Sequence, residues 1–145
     1  MLRYLGGEAR YVLPYDFETG GHVETILVVD DDARMLALLR VVLEAKGYRV
    51  LVALDGEAAA SVTSAEHPDL IVTDWMMPVL DGVAFCRRLK ANTATERIPV
   101  VMLTAGMPPP QTETLWDTLL RKPAPTADLI EAIHDLLNRS GGIRR

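Results

Sequence analysis

Short apolar runs alternate with segments of helical periodicity along most of the chain. Five runs have the length and composition of buried strands, at residues 26–29, 49–53, 70–73, 99–103 and 118–121. Helices are predicted between and after them, over residues 35–43, 57–65, 82–90 and 126–137. Strands that alternate with helices predict a parallel sheet in a doubly wound α/β fold.

The boundaries of the predicted helices carry residues that favour helix ends. Gly47 stands where a glycine would end the first helix. Asp55 is the predicted cap of the second helix, and His67-Pro68 closes it. Thr126 is the predicted cap of the last one. The first 22 residues show no sustained period, so we interpret them as an extension.

Composition narrows the classes of protein that fit. The 145 residues are 49% hydrophobic and 24% charged, which is typical of a globular domain. Twenty acidic residues outnumber 15 basic ones, which disfavours direct binding of nucleic acid. One cysteine, Cys86, leaves no internal disulfide, and no apolar run is long enough to span a membrane. We expect a cytoplasmic protein with an extension at 1–22, one domain at 23–139 and a tail at 140–145.

Polar side chains directly follow four of the five predicted strands. Asp30, Asp31 and Asp32 come directly after the first strand, and Asp74 follows the third. Thr104 follows the fourth strand and Lys122 the fifth. Ligand sites in doubly wound sheets lie beyond the carboxyl ends of the strands, so we expect these side chains to converge.

A run of three acids predicts a bound cation, because like charges at short range raise one another's pKa and a cation removes that penalty. Mg²⁺ is the expected ion, since it prefers oxygen ligands and keeps substrate phosphate oxygens in its shell. Asp74 has the chemistry of a nucleophile that forms an aspartyl phosphate. Thr104 and Lys122 have the chemistry to receive phosphoryl oxygens. The alternative is that each residue is a cap, a turn hydroxyl or a surface lysine, although one helix cap does not explain three successive acids.

The sequence resembles the receiver domains of response regulators. The first-strand segment ILVVDDD (26–32) looks like the acidic motif of that family, and DWMMPVLDG (74–82) resembles its phosphorylation segment, D-x-x-M-P-x-x-D-G. MLTA (102–105) and Lys122-Pro123 match the two remaining landmarks. The match runs in order from about Thr25 to Asn138.

This resemblance implies a flavodoxin-like five-stranded parallel sheet of order 2-1-3-4-5. It implies that Asp74 is the phosphoacceptor, that Asp31 and Asp74 bind Mg²⁺ directly, and that Asp30 acts through a metal-bound water. The backbone carbonyl of Met76 completes the implied metal set. The resemblance also implies that Thr104 and Lys122 contact the phosphoryl group, with a cis peptide before Pro123.

Two departures from the family pattern bear on how phosphorylation is read out. Leu119 occupies the position where the family usually has tyrosine or phenylalanine, and Trp116 is close enough in sequence to be a substitute. Pro108-Pro109-Pro110 lies between the fourth and fifth strands, where it predicts an atypical, shortened or missing fourth helix.

The expected function is that of a single-domain response regulator. It would accept a phosphoryl group from a sensor histidine kinase or phosphotransfer protein and signal to a downstream protein, with a homodimer left open and no enzymatic turnover beyond its own phosphorylation and dephosphorylation. Two alternatives stay open: a receiver-like interaction module that works without phosphate, and a haloacid-dehalogenase-like phosphohydrolase that would place the phosphate on Asp30. Flavodoxin-like cofactor binding is disfavoured, because carboxylates stand where a phosphate loop is needed. A further alternative is that the chain is a fragment of a larger regulator.

Overall fold

The computed structural model describes residues 2–5, 8–11, 15–16, 21–106 and 115–143, with side chains described for 22–106 and 115–139. These residues form nine strands and four helices. The strands are β1 (Leu2–Leu5), β2 (Glu8–Tyr11), β3 (Tyr15–Asp16), β4 (Gly21–His22), β5 (Thr25–Val29), β6 (Arg49–Ala53), β7 (Leu70–Asp74), β8 (Val100–Thr104) and β9 (Thr118–Arg121). The helices are α1 (Ala33–Ala45), α2 (Gly56–Glu66), α3 (Gly82–Lys90) and α4 (Thr126–Ile143).

Strands β5 to β9 form one parallel sheet in the order β6-β5-β7-β8-β9. Counted along the domain, this is the predicted order 2-1-3-4-5, so the doubly wound, flavodoxin-like fold is confirmed. The three central strands, β5, β7 and β8, are buried along their whole length. Such burial requires a helical layer on each face of the sheet, which explains why these strands are apolar runs instead of alternating ones.

The core is divided between the two faces of the sheet. Along β5, Ile26 and Val28 point to one side and Leu27 and Val29 to the other, as the two-residue repeat of a strand requires. The first pair packs against α1 and α4, through Leu36, Leu39, Leu43, Leu129, Ile133, Leu136 and Leu137. The second pair packs against α2 and α3, through Ala59, Val83, Phe85, Cys86 and Leu89.

Most predicted boundaries agree with the structure to within one or two residues. The cap predicted at Thr126 is off by one position, because Thr126 is already the first helical residue. The carbonyl of Pro125 accepts hydrogen bonds from the backbone N–H groups of Asp128 and Leu129, so Pro125 and not Thr126 occupies the cap position. Asp55 caps α2 as predicted, with its side chain accepting from the N–H of Ala58 at 2.8 Å.

The region between β8 and β9 departs from the regular alternation of strands and helices. The described residues there, 105–106 and 115–117, contain no helix, in agreement with the predicted loss or shortening of the fourth helix. The three successive prolines that carried this prediction lie outside the described residues. The last helix, α4, therefore follows β9 as the domain's fifth helix would.

The amino-terminal extension contains two short antiparallel pairs. β1 pairs with β2, and β3 pairs with β4. The sequence carried a signal for the first pair that the periodicity did not show, since Gly6-Gly7 separates two four-residue runs and is a typical two-residue hairpin connection. Among the helices described, none combines the length and apolar character that a membrane crossing needs.

Candidate functional site

The carboxyl edge of the sheet gathers the polar residues singled out in the sequence. Backbone hydrogen bonds continue past the ends of the strands and hold the backbone of these residues in place. The N–H of Asp30 donates to the carbonyl of Ala53 at 3.1 Å, and that of Lys122 donates to the carbonyl of Thr104 at 2.7 Å. Asp74 is itself the last residue of β7 and is paired in register with Leu103. The side chains are therefore placed by the rigid sheet.

Three carboxylates meet at this edge. One oxygen from each of Asp30, Asp31 and Asp74 lies within 4.8 Å of the other two. Asp30 and Asp74 are buried, whereas Asp31 is exposed. The third acid of the run has a different role, because Asp32 caps α1 by accepting a hydrogen bond from the N–H of Arg34 at 2.9 Å. Helix capping therefore accounts for Asp32 alone, whereas Asp30 and Asp31 belong to the carboxylate cluster.

Lys122 joins the two buried carboxylates. Its Nζ lies 3.2 Å from an oxygen of Asp30 and 3.2 Å from an oxygen of Asp74. Asp30 also accepts a hydrogen bond from the N–H of Asp32 at 2.9 Å. One lysine between two buried acids, with the exposed Asp31 beside them, leaves the cluster with more negative charge than positive charge.

The electrostatics of the cluster follow from this imbalance. Burial raises the pKa of Asp74, and Asp30 raises it further, against the opposing effect of Lys122. Burial by itself lowers the pKa of Lys122, but the attraction of Asp74 and Asp30 outweighs it, and the net pKa is raised. Lys122 therefore holds its proton more strongly than an exposed lysine does. The carboxyl group of Asp74, in contrast, costs more free energy to ionise than that of an exposed aspartate.

The donor set fits a hard divalent cation. All three side chains offer carboxylate oxygen, which Mg²⁺ prefers, and Asp31 is open to solvent. Added positive charge would relieve the excess negative charge on the two buried acids. Met76, whose backbone carbonyl the resemblance implies as a further ligand, follows Asp74 by two residues, and its side chain points into solvent. The ligand roles of these residues stay predictions.

Thr104 ends β8 with its side chain buried, and its hydroxyl is occupied locally. Oγ1 donates to the carbonyl of Gly106 at 2.8 Å and accepts from the N–H of Gly106 at 3.2 Å. The sequence placed this hydroxyl at the correct edge but did not show that its own loop holds it. The Lys122–Pro123 peptide is cis, as the resemblance implied.

Two glycines allow the loops of this edge to pack closely, and sequence reasoning missed both roles. A Cβ on Gly82 would collide with the backbone carbonyl of Asp74 and approach the Cα of Trp75 to 3.0 Å. A Cβ on Gly56 would collide with the backbone of Leu80. Gly82 therefore lets α3 begin directly against the backbone that carries Asp74.

The structure does not favour Trp116 as a substitute for the missing aromatic. The N–H of Asp117 donates to the carbonyl of Val100, so this segment lies at the amino end of β8. Thr104 ends the same strand, about 13 Å away at the usual rise per residue. Leu119, at the family's aromatic position, packs in the cluster on the α2–α3 face. The second tryptophan, Trp75, is a partly buried member of that cluster and directly follows Asp74.

A parallel doubly wound sheet with clustered acids, a hydroxyl and a lysine at its carboxyl edge belongs to the class of α/β domains whose ligand sites lie beyond the carboxyl ends of the strands. Comparison with known proteins narrows this class. A family model described as the response regulator receiver domain matches residues 26–134. The chain belongs to the receiver-domain family of response regulators.

Curated relatives and solved structures agree with this assignment. The chain is 37% identical over 119 residues to the phosphate regulon transcriptional regulatory protein PhoB of Rhizobium meliloti, covering 79% of this chain and 52% of that protein. It is 46% identical over 80 residues to the alkaline phosphatase synthesis transcriptional regulatory protein PhoP of Bacillus subtilis, covering 55% of this chain and 32% of that protein. The chain thus spans about half the length, or less, of these relatives.

Among solved structures, the receiver domain of a signal transduction histidine kinase from Syntrophus aciditrophicus superposes with a TM-score of 0.73 at 31% identity, covering 80% of this chain and 91% of that chain. The chemotaxis protein CheY4 of Vibrio cholerae superposes with a TM-score of 0.72, covering 79% of this chain and 98% of that chain. At 24% identity this second likeness speaks for the fold alone.

Proposed function

We propose that the chain accepts a phosphoryl group on Asp74, in a Mg²⁺-dependent reaction, from a phosphohistidine on a sensor kinase or phosphotransfer protein. The observation that carries the proposal is the position of Asp74. It lies within 4.8 Å of two further carboxylates and 3.2 Å from Lys122, at the edge where the sheet ends. The receiver family and the structural likeness to a histidine kinase's receiver domain support it.

In the proposed step, a carboxylate oxygen of Asp74 forms a bond to phosphorus while the phosphorus–nitrogen bond of the phosphohistidine breaks. The electron pair of that bond returns to the imidazole nitrogen, which takes up a proton. Asp30, Asp31, Asp74 and the carbonyl of Met76 would hold the metal. When bound, Mg²⁺ would supply positive charge that offsets the negative charge of the carboxylates and of the phosphoryl group.

The remaining residues of the site act on the phosphoryl group once it is on Asp74. Lys122, now paired with Asp74 and Asp30, offers N–H donors to a phosphoryl oxygen, since an ammonium can bind several acceptors. Thr104 can donate its hydroxyl to another oxygen if it leaves the carbonyl of Gly106. Phosphorylation adds about −1.5 to −2 charges near pH 7, and such a change biases a two-state surface that partner proteins read. We propose that the output is protein–protein contact.

Labelling with a small phosphodonor tests the acceptor. With acetyl phosphate and Mg²⁺, the wild-type protein should shift on a phosphate-affinity gel, and Asp74→Asn should lose at least about a thousandfold of the labelling rate because the nucleophile is gone. Asp55→Asn is the matched control, since asparagine caps a helix as well as aspartate and Asp55 lies outside the cluster. Chelation of Mg²⁺ should abolish wild-type labelling. Equal labelling of wild type and Asp74→Asn would remove Asp74 from the reaction.

A second candidate function is an interaction module that works without phosphate. The observation in its favour is Leu119, which lies where the family's aromatic reporter is expected. Mg²⁺ and beryllofluoride should change tryptophan fluorescence in a working receiver, because Trp75 directly follows Asp74. No change at saturating Mg²⁺ would favour the module. Peptide mapping after acetyl phosphate treatment separates either function from the phosphohydrolase alternative, which requires the phosphate on Asp30.

A further inference from the structure

The amino-terminal extension lies outside the part of the chain that the receiver family accounts for. The family model matches residues 26–134, and the hairpin of β1 and β2 precedes that match. The extension reaches the domain at the amino end of the sheet, where Nε2 of His22 lies 3.4 Å from a carboxylate oxygen of Asp69. Asp74 ends β7 at the opposite edge. The extension therefore joins the domain away from the acidic cluster.

The register of β1 with β2 gives the hairpin one apolar face and one charged face. Successive residues of a strand face opposite sides, so the four cross-strand pairs divide between the two faces. The apolar face takes the pairs Leu2–Tyr11 and Tyr4–Ala9, and the charged face takes the pairs Arg3–Arg10 and Leu5–Glu8.

Within the described part of the chain, this hairpin has no further strand beside it. β1 and β2 form a sheet of their own, separate from the β3–β4 pair and from the main sheet, and neither makes an extensive contact with a helix. A two-stranded hairpin is only marginally stable in water, whereas three or more strands with a hydrophobic face are stable. The outer edges of β1 and β2 carry backbone N–H and C=O groups that a further strand can pair with.

The charged face has an unfavourable pairing within one hairpin. Arg3 and Arg10 occupy directly opposite positions, and like charges in that arrangement destabilise a strand pair. Glu8 is the only acidic residue of these two strands, and it pairs with Leu5. An additional strand that brings an acid opposite Arg10 would offset the repulsion between the two arginines.

We propose that β2 of a second copy of the chain is this additional strand. Two hairpins then join edge to edge in a four-stranded antiparallel sheet of order β1-β2-β2-β1. A two-fold axis at Ala9 sets Glu8 of each copy opposite Arg10 of the other, so the contact is complementary to itself. An axis at Glu8 or at Arg10 would instead set like charges opposite each other. A shift by one residue would pair the apolar face with the charged face.

The backbone of the hairpin allows this register. Along an antiparallel strand, the N–H and C=O groups of successive residues point alternately to one neighbour and to the other. The pair that closes a two-residue connection, Leu5–Glu8, exchanges its hydrogen bonds within the hairpin, so Ala9 directs its backbone groups to the outer edge. Ala9 facing Ala9 is then a hydrogen-bonded pair. Glu8 facing Arg10 is a pair of the other kind, in which the two residues approach most closely.

This interface includes no residue of the family match and none of the carboxyl edge. Its formation should therefore depend neither on Mg²⁺ nor on phosphorylation. The inference does not rest on the proposed function, and either one can fail without the other.

Sedimentation of the full chain tests the role of the β2 edge. Wild type should be in a monomer–dimer equilibrium with dimer predominant by about 100 μM, because an interface this small is weak. Arg10→Glu sets acid opposite acid across the axis and should weaken dimerisation by at least about tenfold. Within its own hairpin this variant sets Glu opposite Arg3, so the hairpin itself is not weakened. Arg3→Glu is the matched control, since it makes the same charge change on β1, and its dimer should stay within about threefold of wild type.

Two further measurements test the register. Glu8→Arg alone should also dimerise poorly, whereas an equimolar mixture of Glu8→Arg and Arg10→Glu should form a heterodimer, because a basic β2 then faces an acidic one. Ala9→Cys should form a disulfide-linked dimer on mild oxidation, since residues of a hydrogen-bonded pair lie within disulfide range. Leu5→Cys, on β1, should not. The native Cys86 is buried, so wild type provides the background.

Each of four results would overturn the inference. The first is wild type that stays monomeric at about 100 μM. The second is equal weakening by Arg3→Glu and Arg10→Glu, which would indicate a general effect of charge. The third is a mixture of the two opposite variants that stays monomeric. The fourth is a dimer that forms only with Mg²⁺ and beryllofluoride, which would assign the contact to the receiver domain instead of the extension.

Discussion

The two ends of the sheet both hold a buried aspartate, but the two residues have different surroundings. At the amino end, Asp69 accepts a hydrogen bond from the backbone N–H of Thr25 at 2.7 Å, and its own N–H donates to the carbonyl of Thr25 at 2.8 Å. At the carboxyl end, Asp74 faces Asp30 and shares one lysine with it. The first carboxylate is held by the backbone of its neighbour strand, and Nε2 of His22 also lies 3.4 Å from one of its oxygens. The second is held by charge alone apart from one backbone hydrogen bond, and its pKa is raised.

This comparison teaches how to separate structural acids from functional ones in a fold of this kind. Asp32, Asp55 and Asp81 also accept backbone N–H groups, each at the start of a helix. Asp30 and Asp74 each accept a backbone hydrogen bond too, but they also lie within reach of another carboxylate and of an ammonium group. The acids at the helix starts stabilise the fold, whereas the two acids that face one another leave negative charge that an added cation would offset.

The largest effect on stability is expected from Asp69. Asp69→Ala removes the acceptor for the buried N–H of Thr25, and an unsatisfied buried donor costs about 1 to 3 kcal/mol. We expect the free energy of unfolding to fall by about 2 kcal/mol in urea titrations. Asp69→Asn keeps an acceptor oxygen and should lose clearly less. A loss no larger for alanine than for asparagine would contradict the structural role of this hydrogen bond.

Asp74→Asn should behave in the opposite way when Mg²⁺ is absent. Burial raises the pKa of Asp74 above its ordinary value of 3.8, so the folded protein favours the protonated carboxyl group. The stability that this group contributes is fully present below pH 3.8 and is lost as the pH rises through the folded-state pKa. Replacement by neutral asparagine should therefore raise the free energy of unfolding at pH 7, and the gain should disappear as the pH falls toward 3.8. If Asp74→Asn instead lowered the free energy of unfolding at pH 7 as much as Asp69→Ala does, the two aspartates would not differ in their contribution to stability.

Lys122→Met should destabilise the carboxyl edge because it leaves Asp30 and Asp74 without their shared cation. Lys122 is 27% exposed, so we expect a loss of about 1 to 2 kcal/mol at pH 7, less than for a fully buried ion pair. The loss should shrink as the pH falls and Asp74, whose pKa burial raises, becomes protonated. Addition of Mg²⁺ should recover part of the stability, and thermal melts with and without the ion would show this. A loss independent of both pH and Mg²⁺ would point to packing of the lysine stem instead of its charge.

A smaller effect is expected from Val79, which also lies in a loop of the carboxyl edge. Val79→Gly relieves the positive φ but adds backbone freedom to the unfolded chain, so the net gain in unfolding free energy should be at most about 1 kcal/mol. Val41→Gly, at an exposed position inside α1, should instead lose about 0.5 to 1 kcal/mol. Equal losses at both positions would show that Val79 carries no strain.

Almost no reactivity is expected from Cys86, which lies in the core of the α2–α3 face. Burial raises the pKa of its thiol to about 12, so the thiolate that reacts with disulfide reagents is scarce at pH 8. A disulfide reagent should leave the native protein unmodified over the time in which it fully modifies the protein in urea. Rapid reaction of the native protein would mean that this face of the sheet opens readily.

The sequence predicted much of the fold because its strands are uniformly apolar and its caps are conventional. It also predicted that Asp30, Asp74 and Lys122 would come together, since each of them follows a segment whose apolar composition by itself predicts a strand. The cap of the last helix was misplaced by one residue, onto Thr126, because threonine caps helices more often than proline does. Asp69 was missed because an aspartate after His67-Pro68 has the sequence character of a turn residue, and only the parallel pairing of β5 with β7 brings it to Thr25.

Other features depend on contacts that no local pattern encodes. Val79 has a φ of +69°. A β-branched residue rarely adopts positive φ, so its sequence alone would not predict this backbone conformation. Trp116 is only three residues from Leu119, yet the pairing of Asp117 with Val100 places it at the far end of β8 from Thr104. Distance along the chain was a poor guide at that point, because the site and the tryptophan lie at opposite ends of one strand.

The hydroxyl of Thr104 makes two hydrogen bonds with Gly106, one as donor and one as acceptor. A competitor that attracts this hydroxyl must replace both bonds at once, and each contributes about 1 kcal/mol. The two bonds together bias the side chain by about 2 kcal/mol toward the carbonyl of Gly106, which is roughly a thirtyfold preference. Any acceptor that draws this hydroxyl away must first offset that preference, and a charged acceptor can do so because its hydrogen bonds are about twice as strong as neutral ones.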